Sequence, residues 1–415
     1  MLKARHRGLR FSLVAAAVSL IATIAGCGGD SSGPVVAIQQ NSVVEGDFNG
    51  DGRLDIAVTR AISSDGNIQP GQVEVFLQNA APPGSFFRQA LYEVGADPFK
   101  VATADLNGDG LADLVTANAS SDSISVLLNN PSSPGTFIPA VDYATGPGPL
   151  SVAIGDLNRD GLPDIAVAVA DGVEILLQDP AARGTFLAPL FLAVDGGTFA
   201  VAVGDLDGDG IPDLAASTIL NANGIPDPAA SSVQSIAVFF QDPLNPGNFL
   251  QANFSAGLQP NEIAIADIDS DGLLDMAVAN IGSPVNGSGS TVSILIQDPL
   301  VAGNFLPARN FATPSGTHGL AIGDLDLDGF PDLVVASTVI QSSNPGVVSV
   351  FFQDPVFGNF VFSASYADGF TPLSVAIGDL NADGRPDIAV QDGPSILFQD
   401  PINLGIFLNE VVIGP

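Results

Sequence analysis

GDLNRDGLPDIAVAV, residues 155–169, places three aspartates and an asparagine within nine positions and then continues as an apolar stretch. Carboxylates at such short spacing repel one another, so the cluster needs a physical reason. The same pattern, D-x-[DN]-x-D-G-x-x-D, occurs seven times in the chain. It starts at Asp47, Asp105, Asp156, Asp205, Asp267, Asp324 and Asp379. The chain is therefore a series of seven related units.

The repeat extends well beyond the acidic residues and predicts four strands in each unit. A small-residue apolar stretch precedes each motif, a second one follows it, and a third ends in a turn such as Gln-Asp-Pro. That turn closes with Gly-x-Phe and opens a fourth stretch, at Phe86, Phe137, Phe186, Phe249, Phe305, Phe360 and Phe407. Four strands in each of seven units, at spacings of 49 to 62 residues, predict an all-β, seven-bladed β-propeller over residues 43–415.

The two ends of the repeat region suggest how such a ring closes. The last segment, GIFLNEVVIGP, repeats the fourth-strand pattern and is followed by no further motif. We expect the N-terminal and C-terminal strands to pair, because a closed ring leaves no open sheet edge.

Composition agrees with an all-β fold and restricts the class of partner. The chain contains 46 glycines and 31 prolines among 415 residues, which favours many short strands over long helices. Its 45 acidic residues against 12 basic residues give a net charge of −33. Nucleic acid is therefore excluded as a partner, because no basic patch is present to neutralise phosphates. Cations are the expected partners.

The first 26 residues read as an export signal. A basic start, MLKARHRGLR, precedes an apolar run that is too short for a confident membrane span. The run ends in IAGCGG, which resembles a bacterial lipobox, and Cys27 is the single cysteine of the chain. We expect cleavage before Cys27, lipidation of Cys27, a flexible tether over residues 27–42 and anchoring in the bacterial cell envelope through the membrane. The alternative is an ordinary secretory signal.

The nine-residue motif predicts a loop that folds around a hard cation. Side-chain oxygens at positions 1, 3, 5 and 9, the carbonyl oxygen of position 7 and a glycine at position 6 suit Ca²⁺ better than Mg²⁺. We expect about seven ions per chain. The predicted ligands are Asp47, Asn49, Asp51, Arg53, Asp55; Asp105, Asn107, Asp109, Leu111, Asp113; Asp156, Asn158, Asp160, Leu162, Asp164; Asp205, Asp207, Asp209, Ile211, Asp213; Asp267, Asp269, Asp271, Leu273, Asp275; Asp324, Asp326, Asp328, Phe330, Asp332; Asp379, Asn381, Asp383, Arg385, Asp387.

The motif has two other possible interpretations, an EF-hand and a metal-free turn. An EF-hand is excluded, because that loop needs a glutamate at position 12 where this chain has an apolar residue or Thr116. A metal-free turn remains as the alternative, since Asp-Gly is a strong hairpin signal, but a turn needs one aspartate rather than three or four. The apolar residue at position 2 is expected to fix each loop to the core.

The units resemble FG-GAP or VCBS-type repeats, the blades of the integrin α-chain head and of many bacterial surface proteins. The resemblance covers residues 43–415, and it implies that the acidic loop joins the first and second strands of a blade and binds Ca²⁺. At about 10⁻⁴ M affinity, 1 mM calcium would stabilise the fold by roughly 1.4 kcal/mol per site. The bound ions would therefore stabilise the folded state.

A ligand surface is expected on the face opposite the acidic loops. The connections there differ most between units, at residues 59–72, 217–235, 279–291 and 336–347. Candidates beside the central channel are Phe99, Lys100, Phe199, Asn261, Glu262 and His318. Of these, His318 is expected to be a solvated loop histidine, and Lys100 and Glu262 are expected to be surface charges. The tyrosines Tyr92, Tyr143 and Tyr366 are expected to be packing residues.

These features favour a non-catalytic binding or adhesion module for a protein or glycan partner. An enzyme acting on extracellular polysaccharides is the first alternative, although the chain has no tryptophan for sugar stacking and no Ser-His-Asp, H-E-x-x-H or G-x-S-x-G constellation. Catalysis by paired carboxylates stays open in so acidic a chain. A purely architectural envelope lipoprotein is the second alternative.

Overall fold

The computed structural model describes residues 36–410, except 65, 220–234, 246, 284–288, 315, 339–345, 355–358, 368–370, 392–394 and 400–406. All regular secondary structure in this part of the chain is β-strand. No helix long and apolar enough to cross a membrane is found among these residues. The predicted signal, Cys27 and most of the predicted tether lie outside the described residues.

The strands form seven separate sheets, which we call blades 1 to 7. Blade 1 consists of β1 (Val36–Gly46), β2 (Asp55–Ser64), the short β3 (Asn67–Ile68), β4 (Pro70–Gln78) and β5 (Phe86–Ala96). Blade 2 consists of β6 (Pro98–Ala104), β7 (Asp113–Asn118), β8 (Ser123–Leu127) and β9 (Val141–Ala144). Blade 3 consists of β10 (Ser151–Gly155), β11 (Asp164–Val169), β12 (Gly172–Leu176) and β13 (Leu190–Ala193). Blade 4 consists of β14 (Gly197–Gly204), β15 (Asp213–Ile219), β16 (Ser235–Gln241) and β17 (Phe249–Ser255), and blade 5 consists of β18 (Pro260–Ala266), β19 (Asp275–Asn280), β20 (Thr291–Leu295) and β21 (Arg309–Ala312). Blade 6 consists of β22 (Thr317–Gly323), β23 (Asp332–Ser337), β24 (Val347–Asp354) and β25 (Asn359–Ala367). Blade 7 consists of β26 (Val375–Gly378), β27 (Asp387–Val390), β28 (Ser395–Gln399) and β29 (Phe407–Glu410).

Each blade is a simple antiparallel meander of four strands, and β3 only adds to β2 in blade 1. The first strand of a blade contacts the first strands of the neighbouring blades, so these strands lie innermost. The predicted number of strands and the predicted number of blades are both confirmed. Alternation of short apolar stretches with turn residues thus produces a β-propeller fold.

The core lies between blades rather than within one sheet. Second strands are buried along their length, as in β11, where all six residues of Asp164–Val169 are buried, except that only the first half of the longer β2 is buried. The buried apolar residues group into seven clusters, and each cluster joins two neighbouring blades. Because both faces of a second strand pack on other blades, its sequence is continuously apolar or small instead of alternating.

Blade 7 contacts blade 1 in the same way as the other neighbours contact each other. Val43 and Phe76 of blade 1 share a buried cluster with Ala376 and Leu380 of blade 7. Strand β1 contacts strand β26. The seven blades are therefore in cyclic contact.

The predicted pairing of the terminal strands is not found among the described strands. Strand β1 pairs with β2, and strand β29 pairs with β28. The physical reason is that residues 36–46 already supply the first strand of blade 1, so the C-terminal strand completes blade 7 only. Blades 7 and 1 meet through side-chain packing instead of a shared ladder.

Candidate functional site

All seven acidic loops lie at one edge of the ring because each joins the first to the second strand of its blade. In every blade the residue before the motif pairs with the aspartate at position 9 and closes the loop, as Gly155 pairs with Asp164. The turns between third and fourth strands lie at the same edge. A β-carbon on Gly303, in the turn of blade 5, would lie 3.4 Å from Asp207 Cβ in the loop of blade 4. The acidic loops and these turns therefore share one edge of the ring.

Backbone amides organise each loop around its first aspartate. In blade 3, Asp160 N donates to Asp156 Oδ1 over 3.0 Å and Gly161 N donates to Asp156 Oδ2 over 2.9 Å. Position 4 and position 6 both adopt the left-handed conformation, with φ of 63° at Arg159 and 81° at Gly161. Glycine suits position 6 because it carries no β-carbon to clash there. The loop is thereby bent into a compact turn with its carboxylates on the inside.

The aspartate at position 9 is buried and fixed by two backbone amides. In blade 3, Leu157 N donates to Asp164 Oδ2 over 2.9 Å, and Gln178 N donates to Asp164 Oδ1 over 2.7 Å. Equivalent bonds from position 2 occur in all seven blades. This aspartate, at the start of the second strand, is thus tied to the acidic loop and to the end of the third strand of its blade. That structural role was missed in the sequence analysis, although an aspartate in all seven units at position 9 was a visible signal.

Burial raises the pKa of the position-9 carboxyls in blades 1 to 6. It raises their pKa from 3.8 to about 6 or about 7, against the lowering effect of the two amide donors, and nearby acidic residues of the loop raise it further. The higher value applies to Asp55, Asp213 and Asp332, and the lower value applies to Asp113, Asp164 and Asp275. The raised pKa means that the two amide donors do not fully offset the cost of burying the ionised carboxylate.

Three blades bring carboxylates together closely enough to share one ion. In each of them, one oxygen from each of three carboxylates lies within 4.8 Å of the others. The groups are Asp205, Asp207 and Asp213 in blade 4, Asp267, Asp269 and Asp271 in blade 5, and Asp324, Asp326 and Asp332 in blade 6. Donor sets made only of oxygen fit calcium, which takes carboxylate, amide and carbonyl oxygens in flexible geometry. The loop residues therefore fit the predicted metal.

The other four loops differ in having asparagine at position 3 and an arginine close by. In blade 1, Arg53 forms an ion pair with Asp51. In blade 3, the exposed Arg159 occupies position 4 of the loop, and in blade 7 Arg385 occupies position 7. The loop of blade 2 is approached from the next blade, because Arg183 Nη1 lies 2.5 Å from where a β-carbon on Gly108 would sit. Each of these loops therefore has an arginine within it or, in blade 2, beside it.

Amide side chains at the ends of the third strands of blades 1, 2, 3, 4 and 6 clamp these blades to the loop of the preceding blade. Gln178 Nε2 of blade 3 donates to Leu106 O, at position 2 of the loop in blade 2, over 2.9 Å. Four further bonds of this type are Asn129 to Phe48 O, Gln241 to Leu157 O, Gln353 to Ile268 O and Gln78 to Leu380 O. The last joins blade 1 to blade 7. These residues were not recognised as functional from sequence, although the recurring Gln-Asp-Pro was a signal.

Position 2 anchors each loop as predicted. These side chains are fully buried at 0% exposure: Phe48, Leu106, Leu157, Leu206, Ile268, Leu325 and Leu380. The predicted packing role of the tyrosines is also confirmed for two of them. Tyr92 packs edge-on against Phe137 and Tyr143 packs edge-on against Phe186, with ring centroids 5.3 Å and 5.6 Å apart. Tyr366 packs at the edge of the cluster between blades 6 and 7.

The candidate ligand residues lie at the starts of the first strands, away from the acidic loops. Lys100 of blade 2 and Glu262 of blade 5 form an ion pair of 2.6 Å with side chains only 25% and 21% exposed, so the expectation of free surface charges is wrong. The two charges meet because the ring brings opposite first strands face to face across its centre. Phe99 and Phe199 are half-buried.

His318 is not the solvated loop histidine that was expected. It lies on β22 and is buried at 9% exposure, and burial lowers its pKa from 6.5 to about 4. Its backbone carbonyl accepts a hydrogen bond of 2.9 Å from Asn261 Nδ2. The histidine is therefore a neutral packing residue at the junction of blades 5 and 6.

A cavity of about 380 Å³ lies between the first strands of blades 1, 2, 6 and 7. Its polar lining comes from Glu45, Lys100 and Thr103. Burial raises the pKa of Glu45, partly offset by a backbone hydrogen bond and by the charge of Lys100. The longest of the variable connections, 217–235, 279–291 and 336–347, fall largely or partly outside the described residues, so their role as a ligand surface stays a prediction.

Part of the chain matches a known family of repeats. The FG-GAP-like repeat family matches residues 47–116, 105–167 and 158–216. No curated protein matches the chain. A putative 6-phosphogluconolactonase from Bacteroides uniformis is similar in structure at 17% identity and a TM-score of 0.53, covering 79% of this chain and 84% of that one. BBS1N in complex with ARL6DN is similar at 13% identity and a TM-score of 0.50, covering 87% and 93%. At these identities the likeness concerns the fold alone.

Proposed function

Because the chain contains FG-GAP-like repeats and folds as a seven-bladed β-propeller, we propose that it is a calcium-binding module that recognises a partner without transforming it. The observation that carries the proposal is the repetition of one oxygen-rich loop in all seven blades. An active site is normally a single asymmetric place, whereas a seven-fold feature serves the whole ring. The loops therefore serve stability, and recognition belongs to another surface.

Calcium would be held by the carboxylates at positions 1, 5 and 9, the oxygen at position 3 and the position-7 carbonyl. When bound, the ion supplies the positive charge that the clustered carboxylates lack. The chain's own residues do the rest. Backbone amides orient position 1, the core holds position 2, and the clamp from the next blade fixes the loop against its neighbour.

A protein or a glycan is the proposed class of partner, at the face opposite the acidic loops. Its connections vary in length and sequence between units, while the strands beneath them are buried and repeated. The strongly acidic composition favours cationic or calcium-bridged partners over acidic glycans.

Anchoring in the cell envelope through a lipid on Cys27 is the proposed localisation. The support is the sequence IAGCGG at the end of an apolar run. Replacement Cys27→Ala is expected to move the protein from the membrane fraction to the soluble fraction. Membrane association of this variant equal to that of the unchanged protein would contradict the anchor.

The calcium proposal is tested by thermal unfolding of the purified protein, metal-free and in about 1 mM calcium, together with metal analysis. We expect a rise in melting temperature of about 10 °C or more, because several weak sites add their binding free energies. Magnesium at the same concentration is the control and is expected to act weakly. An unchanged melting temperature with no bound calcium would leave the aspartates as turn residues only.

A further inference from the structure

The seven loops divide into two groups by charge. Loops of blades 4, 5 and 6 have aspartate at position 3, whereas loops of blades 1, 2, 3 and 7 have asparagine there. The three carboxylate groups that converge within 4.8 Å are those of blades 4, 5 and 6. These three loops are also consecutive around the ring, and a β-carbon on Gly208 of blade 4 would lie 3.3 Å from Leu273 of blade 5.

The basic residues follow the opposite distribution. Of the eight lysines and arginines after residue 26, four lie at the asparagine-containing loops: Arg53, Arg159, Arg183 and Arg385. Arg53 pairs with Asp51, and Arg183 lies over Gly108 in the loop of blade 2. No lysine or arginine occurs within residues 205–213, 267–275 or 324–332. Every loop with a weaker donor set therefore also carries a positive charge that competes with a cation.

We propose that the seven calcium sites form two affinity classes, with three tight sites in blades 4 to 6 and four weak sites in blades 1, 2, 3 and 7. This inference rests on the proposed calcium function. The affinity of a calcium loop depends on the number of charged ligands, so the extra carboxylate and the missing arginine act in the same direction. We expect the tight class to bind at least about tenfold more strongly than the weak class.

A consequence is that calcium depletion affects the two parts of the ring differently. In blade 1, Arg53 partly neutralises the loop through its ion pair with Asp51 when no ion is bound, and the arginines of blades 2, 3 and 7 add positive charge close to their loops. Blades 4 to 6 have no such substitute in their loops, so their stability depends most on calcium. At calcium concentrations between the two affinities, calcium occupies only the loops of these three adjacent blades.

The test is equilibrium dialysis of the full chain against free calcium from about 10⁻⁷ to 10⁻² M, combined with hydrogen exchange resolved by peptide. We expect three ions to bind first and the remainder at higher calcium. Peptides covering residues 205–213, 267–275 and 324–332 should gain protection at lower calcium than those covering 47–55, 105–113, 156–164 and 379–387.

Two sets of variants change the number of tight sites in opposite directions. The triple replacement Asp207→Asn, Asp269→Asn, Asp326→Asn should remove the early step in the dialysis curve. The pair Asn107→Asp and Arg183→Gln should convert blade 2 and raise the early step from three ions to four. This second variant adds binding, so its result does not depend on a protein that has failed to fold.

The possible negative results distinguish an error in the two affinity classes from an error in the calcium function itself. Seven equivalent sites, or early protection of blades 1, 2, 3 and 7, would overturn the two classes while leaving the calcium function in place. No bound calcium at about 10⁻² M would overturn the proposed function and this inference with it.

Discussion

At the scale of single residues, the position-9 aspartate decides how the loop responds to its surroundings. Asp213 is 1% exposed, and it accepts hydrogen bonds from Leu206 N and Gln241 N over 2.8 Å each. An aspartate so placed holds the acidic loop and the second and third strands together through its oxygens, and it is also a predicted metal ligand. Because these roles use the same carboxylate, stability and metal binding are coupled at every blade.

The pH dependence of metal-free stability is expected to be the reverse of that seen for salt-bridged aspartates. A carboxyl whose pKa is raised from 3.8 to about 7, as in Asp213, stabilises the fold fully below pH 3.8, and this contribution is lost as the pH rises through about 7. The melting temperature of metal-free protein should therefore fall between pH 4 and 8. Saturating calcium should abolish the fall, since it binds the ionised carboxylates.

Melting curves at fixed ionic strength check this expectation. Asp213→Asn with Asp332→Asn should flatten the metal-free profile, and Glu93→Gln, an exposed acid on β5, is the control that should not. A metal-free melting temperature that is constant from pH 5 to 8 would contradict the argument.

At the scale of strands and loops, the clamp between blades is the feature with the largest structural effect. Gln178 Nε2 donates to Leu106 O over 2.9 Å and to Pro163 O over 2.8 Å, and Gln178 Oε1 accepts from Gly184 N over 3.3 Å. One side chain therefore links the loop of blade 2, the loop of blade 3 and the turn of blade 3. Calcium bound in one loop is in this way coupled to the next blade.

Gln178→Met is expected to destabilise the protein by about 2 kcal/mol, because it keeps the apolar volume and leaves two buried carbonyls without donors. Urea unfolding in saturating calcium measures the change. Gln251→Met, on the exposed outer strand β17, is the matched control and should change stability little. Equal effects at both positions would show that the clamp contributes nothing specific.

The sequence predicted those parts of the fold that depend on local repetition. Seven motifs at spacings of 49 to 62 residues predicted seven blades, and the apolar position 2 predicted loops fixed to the core. Contacts between residues that are far apart in the sequence depend on the geometry of the ring, and the sequence did not predict them. Lys100 and Glu262 are 162 residues apart in sequence, and only closure of the ring makes them neighbours. The burial of His318 was missed for the same reason, since it depends on the packing of blade 5 against blade 6.

At the scale of the whole molecule, the ring carries an ion pair across its centre. Blades 2 and 5, which supply Lys100 and Glu262, are three blades apart, the largest separation in a ring of seven. The pair therefore connects the two sides of the propeller at the end of the channel away from the acidic loops. Partial exposure limits its contribution to stability.

A double-mutant cycle with Lys100→Met and Glu262→Gln is expected to give a coupling free energy of about 1 kcal/mol. Each single variant leaves one half-buried charge without its partner, so the double variant should be less destabilised than the sum of both. Urea unfolding in saturating calcium supplies the four free energies. A coupling of zero would mean that the two side chains do not interact in solution.

Each blade is formed by one continuous stretch of chain, and blade 7 packs on blade 1 through an apolar cluster of the kind that joins every other neighbouring pair and through the amide clamp from Gln78 to Leu380 O. The order in which the blades are synthesised is therefore independent of the order in which they assemble. A circular permutant that starts at Ser151, with the end of blade 7 joined to the start of β1 by a linker, is expected to retain all seven sheets. The ring has no structural first blade, and any of the seven can lead the chain.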